Sequence, residues 1–214
     1  MTEDPGETRF DRHFELAATV LLAVAAVATA WASYQSARWH GEQARAQSRS
    51  IAARVESTRA ANVANRQGQI DVALFTQWVD AYARDETELT DFYRKRFRTE
   101  FEPAFDAWVA TKPRTNPTAP LSPFAMSQYK LAATAQSDRL ELKATAASKQ
   151  VGTFIQRADD YALTVVLFAS ALFFAGISTR LRSPTPRMII LGLGYALFLG
   201  SLIWIATFPV SLSV

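Results

Sequence analysis

The side chains able to do chemistry are few and poorly placed for it. His13 and His40 are the only imidazoles in the 214 residues. They stand near the N-terminus and just after the first apolar run, with no second ligand or nucleophile in a motif around either, so neither a metal site nor a triad is indicated. The chain has no cysteine, which removes thiolate catalysis, disulfides and cysteine metal sites. Carboxylates gather at Asp85, Glu86, Glu88 and Asp91, but their spacing is not that of a calcium loop and fits a solvated helix junction. Glu100, Glu102 and Asp106 fall on one helical face beside Arg96 and Arg98, a pattern of surface ion pairs. No catalytic residue, metal ligand or cofactor is expected, and the chain reads as a non-enzyme.

Aromatic residues form the other notable set. Phe92, Tyr93, Phe97, Phe101, Phe105 and Trp108 recur at helical spacing and continue a stripe that begins at Ile70, Leu74, Trp78 and Tyr82. Such a stripe either lines an apolar ligand pocket or, more commonly, fills a core. It belongs to one or two amphipathic helices, with a break expected near Asp85–Glu88. Pro103 either kinks the second half or sits in the first turn of a new helix.

Three uncharged runs must hold these residues in place. Leu16–Ala37 gives 22 residues without a charge, and roughly 20 apolar residues cover the ~30 Å of a bilayer core. Tyr161–Thr179 and Met188–Val210 supply two more. The mean hydropathy of −0.02 therefore averages greasy ends with a polar middle. The expected fold is all-α: three transmembrane helices, with a helical-bundle or coiled-coil-like domain inserted between the first and second. The divisions are a tail at 1–15, broken from any helix by Pro5-Gly6; a first span at 16–37; a soluble helical domain at 38–160 with a proline-rich loop at 112–123; a second span at 161–179; a basic linker at 180–187; a third span at 188–210; and a C-terminal end at 211–214. Ser122-Pro123 reads as the start of a helix running to about Asp160. The first run also fits a signal peptide, with Arg9 and Arg12 ahead of it and Ala28-Thr29-Ala30 as a cleavage site. None of the spans has an interior charge, which argues against a proton or ion path within this chain alone.

From Gln35 onward the pattern is helical, and no proline occurs between Pro5 and Pro103. A seven-residue frame carries Ala37, Ala44, Ile51, Thr58, Asn65 and Val72; Ser48, Val55, Asn62 and Gln69 lie beside it. This predicts a thin packing seam in which Asn62 and Asn65 set register. Residues 36–69 carry net charge +4, residues 70–106 net −4 and residues 107–158 net +5. Successive segments can thus lie antiparallel without like-charge repulsion. Gly192, Ala196 and Gly200 repeat every four residues in the third span, a face for close helix packing. Trp31, Tyr34, Trp39, Tyr161 and Trp204 are expected as membrane-interface anchors.

The stretch from Ala30 to Ala44, with Trp31, Trp39 and Gln43, resembles one in uncharacterised bacterial integral membrane proteins built from an N-terminal span, a helical insert and two C-terminal spans. The resemblance implies a plasma-membrane protein and brings no activity or site. The basic linker Arg180, Arg182, Arg187 favours a cytoplasmic N-terminus with the helical domain and C-terminus outside. A net charge of +3 gives no reason to invoke nucleic acid. The expected partners are the lipid bilayer and either a homo-oligomer or another membrane protein. The expected role is assembly or protein interaction through the extracytoplasmic domain. The alternatives are a small-ligand sensory bundle signalling through a partner and an accessory subunit of a transporter or channel.

Overall fold

A computed structural model describes residues 5–181 and 183–211, with side chains from Arg12 onward; Arg9 and Arg182, used above, lie outside the described side chains. All its regular elements are helical: α1 Pro5–Ala83, α2 Thr87–Arg94, α3 Glu102–Ala110, a 3-10 turn at Pro123–Ala125, α4 Ala132–Ser178 and α5 Pro184–Ile205. Three of them, α1, α4 and α5, contain windows long and apolar enough to cross a membrane, so by length and composition the chain is a multi-pass membrane protein.

Helix α1 has no break at Gly41 or Gly68. It starts at Pro5, so residues 5–15, expected as a tail, are helical; proline is tolerated in a first turn because its missing N–H has no partner there anyway. The break after α1 falls where the acidic cluster predicted it, with Asp85 in a left-handed turn at φ 58°. Pro103 occupies the first turn of α3. Two expectations fail. Ser122-Pro123 opens only a single 3-10 turn, without a side-chain cap. The helix expected from residue 124 begins at Ala132 and runs without interruption through the second span.

The chain divides into two compact units, residues 1–47 with 148–214 and residues 48–147. The expected domain of 38–160 is thus narrower, because Trp39 and Ala158 belong to the core of the membrane unit. In that unit Ala18, Ala25, Ala32 and Trp39 of α1 are buried at seven-residue intervals. They meet Tyr161, Phe168, Ala171 and Ala175 of α4 and Leu191 and Phe198 of α5. Leu16, Val20, Val24, Leu163, Val166, Ile189 and Leu193 stay exposed, as lipid-facing positions must. Three polar side chains inside bond to backbone: Ser36 Oγ donates to the Ala158 carbonyl at 3.0 Å, Tyr195 to that of Ala17 at 2.8 Å, and the fully buried Gln35 accepts the N–H of Ser211 at 3.0 Å.

In the helical unit α1 and α4 lie antiparallel. Ser50 Oγ donates to the Ala144 carbonyl at 3.0 Å and Ser57 Oγ to the Ser137 carbonyl at 3.0 Å, seven residues on in one helix and seven back in the other. Hydroxyls that reach the neighbour's backbone require a close crossing, which only small residues permit. The buried seam is accordingly Ser50, Ser57, Ala60 and Ala64, followed by Asp71, Trp78 and Ala81. The seam predicted at Ala37, Ala44, Ile51, Thr58, Asn65 and Val72 is one residue out of register and is exposed throughout, as are its neighbours Ser48, Val55, Asn62 and Gln69.

Candidate functional site

The wide end of the buried seam meets α2, α3 and the proline-rich loop. Phe97, Phe101, Phe105 and Trp108 are buried with Trp78 in one cluster. Phe75 lies at its centre, in ring contact with Trp78, Phe101, Phe105, Trp108 and Phe124 at 5.3–6.4 Å. Four of the six residues proposed as a pocket are therefore core. Phe92 is 45% exposed, beneath the Arg96 guanidinium, and Tyr93 packs on the rim of the cluster.

A real cleft of about 660 Å³ does open beside this core, against the ends of α1 and α3. Of the proposed set only Trp108 lines it, with Trp78 and Tyr82 from α1 and Lys112 and Arg114 from the loop. Its lining includes no carboxylate. The aromatic stripe pointed to this region, but the two cations reach it only through the fold of the loop.

Next to the cluster is a polar network that the sequence reading missed. Asp71 has no solvent exposure. One carboxylate oxygen accepts from Arg98 at 3.0 Å and from the Tyr129 hydroxyl at 3.1 Å. Arg98 also pairs with Glu100, whose other oxygen accepts the N–H of Ala132 at 3.0 Å and so caps α4. Burial pushes Asp71 above the usual carboxylate range, opposed by Tyr129 and Arg98. Burial, then the neighbouring Asp71 charge, pushes the Tyr129 phenol up to about 12. The network joins α1, the segment before α3 and the start of α4, and perpendicular ring contacts with the stacked Phe101 and Phe124 hold Tyr129 in it. With every member tied to another element it acts as a latch. A signal was present: Asp71 is the one acid between Glu56 and Asp80.

The remaining predicted chemistry disperses. Asp85, Glu86, Glu88 and Asp91 are exposed at the junction. Asp106 and Glu102 pair with Arg94, at 2.5 and 3.9 Å, whereas Arg96 has no part in those pairs. His40 contacts Gln43 at 3.1 Å. Among the described residues no group of three or more His, Asp or Glu could hold a metal. In the membrane unit Trp31, Tyr34 and Trp204 are exposed. Trp39 and Tyr161 are not: Trp39 packs against Phe154 and Arg157, and Tyr161 donates to the Pro209 carbonyl. Gly192, Ala196 and Gly200 are exposed, and α5 packs within the chain through Leu191, Gly194, Phe198 and Ser201 instead.

No family model, curated protein or solved structure matches this chain. Any reading of its role therefore rests on these surfaces.

One such surface outside the membrane unit is the second seam of α1. Ser48, Val55, Asn62, Gln69 and Thr76 alternate with Ile51, Thr58, Asn65, Val72 and Val79 in strict coiled-coil spacing, all exposed and none charged. Arg54, Arg59 and Arg66 flank it, also exposed. Ile51 is 52% and Val72 48% exposed.

Proposed function

We propose that the protein is a non-enzymatic integral membrane protein that acts by binding a partner protein through its helical unit, on the membrane face away from the cytoplasm. The observation that carries this reading is the second seam. A helix already packed on α4 through one heptad stripe presents another, exposed and uncharged over ten positions. Its polar members, Asn62 and Asn65, fit a partner that offers matching hydrogen bonds at those levels and disfavour purely apolar occupants. Its flanks select by charge. In a parallel pair of two copies, Arg54 of one would stand against Arg59 of the other, a like-charge contact that each Arg59's own pair with Glu56 offsets only in part; a helix with acidic flanks has no such conflict. The partner is therefore a helical protein with an uncharged seam and acidic borders, rather than a second copy.

The absence of cysteine makes the test direct. Single Val55→Cys, Asn62→Cys and Val72→Cys variants carrying a photocrosslinker should, in native membranes, capture one defined heterologous protein. Gln136→Cys, exposed on α4, should not. Equal capture from all four positions, or a symmetric Val55→Cys disulfide between two copies, would refute the assignment.

The orientation proposed here, N-terminus in the cytoplasm and C-terminus outside, follows the basic linker after the second span. A reporter fused after Val214 that is active only in the cytoplasm would reverse it.

A further inference from the structure

We infer that the cleft at the ends of α1 and α3 is a binding site for a small aromatic carboxylate, a reading that goes beyond the partner seam and stands or falls separately from it. Its walls are aromatic and set at right angles. Trp78 and Tyr82 are stacked at 4.9 Å and 14°, and Trp108 stands at 79° to Trp78. Tyr82, 40% exposed, offers a flat ring its open side, and the nearly buried Trp78 and Trp108 close the corner behind it. An open corner of about 660 Å³ is within the size range of ligand sites.

The charge of the cleft selects the rest of the ligand. Lys112 and Arg114 line it, and no Asp or Glu does. Among the described residues neither cation has an ion-pair partner; the nearest aspartate on α1, Asp80, is held by Arg84 at 2.7 Å. The Arg114 guanidinium lies 5.0 Å from the Tyr82 ring centre, which holds it against the wall. Lys112 occupies the left-handed position that ends α3, at φ 55°. The turns there engage two carbonyls near the end of each helix: Trp108 and Val109 accept from Thr111 and Lys112, and Ala81 and Tyr82 accept from Glu86 and Asp85. The negative helix ends are thus partly satisfied by these turns, and two cations remain beside an apolar corner. An anion with a flat apolar body answers both features. A neutral aromatic would leave the cations unused, and a cationic one would be repelled by them.

The test uses the full chain in detergent micelles or nanodiscs and isothermal titration with 2-naphthoate, 2-naphthamide and octanoate. Naphthoate should bind at least about tenfold more tightly than the amide, the usual scale for a charge-assisted contact, and more tightly than octanoate. Lys112→Gln/Arg114→Gln should lose that preference while keeping the unchanged melting temperature expected of two exposed side chains. Absence of naphthoate binding, equal binding of the amide, equal binding of octanoate, or an unaffected double variant that melts as the parent does would each overturn the assignment.

Discussion

Tyr129→Phe removes one hydroxyl from the latch and makes its electrostatics measurable. In the folded chain burial, with Asp71 beside it, raises the phenol pKa from 10.0 to about 12. A group whose folded pKa lies above its unfolded value adds stability that is complete below the unfolded value and is lost as pH rises through the folded one. Tyr129 therefore stabilises the fold fully below pH 10 and loses that contribution between pH 10 and about 12. Two units correspond to about 2.7 kcal/mol; the side chain is only half-buried, and screening reduces the expected change to about 1–2 kcal/mol. Urea unfolding of the parent and the variant in micelles, followed by tryptophan fluorescence, would give the difference at each pH; Trp78 and Trp108 report from the adjacent cluster. Lysine and arginine titrations are common to both proteins and cancel. The parent should be the more stable at pH 9, and its advantage should shrink by that amount by pH 12. A difference that stays constant across the window would show that the phenol does not titrate against Asp71, and the latch as described would be wrong.

Two further substitutions test packing. A Cβ at Gly194 would lie 3.3 Å from the Ala171 carbonyl oxygen and 3.4 Å from Leu21, whereas Gly192 has nothing within 4 Å. Gly194→Leu should thus destabilise the membrane unit by about 1–3 kcal/mol or more through overpacking, while Gly192→Leu leaves thermal unfolding in detergent nearly unchanged; equal damage from both would refute the packing face assigned to α5. Ser57 is buried against α4 and Thr58 is exposed, so Ser57→Leu should cost about 1–3 kcal/mol and Thr58→Leu within about 0.5 kcal/mol, and the reverse order in urea unfolding would reject the register of the α1–α4 pair.

What the sequence disclosed is what depends on length and on strong local preferences. The three apolar runs were legible because hydrocarbon thickness sets their size, and the loop because four prolines stand between Lys112 and Pro123. Pro103 and the acidic junction marked helix boundaries through backbone chemistry that needs no tertiary partner. The register of α1 was not legible in this way. Ile51 and Val55 are the bulkiest residues of their region, and weighting by size places them in the seam. The structure buries the Ser50, Ser57 and Ala60 side instead, because α4 approaches closely enough for hydroxyls to reach its carbonyls. A frame of alanines at positions 18, 25, 32, 46, 53 and 60, with Trp39 among them, ran through the sequence and would have identified the packed side.

The same register explains why an uncharged stripe remains outside. Packing by approach selects against side-chain volume, so the larger members of an amphipathic helix are excluded from the crossing and turn outward. Isolated exposed valines need no explanation. Ten successive heptad positions without a charge, bordered by arginines on a helix that carries net +4 over residues 36–69, are a different matter. Ion pairs with Glu42 and Glu56 show that charge is tolerated just off the stripe. A surface meeting only water would have no reason to keep charge from entering those ten positions, whereas a second helix would desolvate any charge placed there. Two seams on one helix, the inner made of small residues for α4 and the outer of medium-sized ones, are what α1 requires if it is to be gripped from both sides.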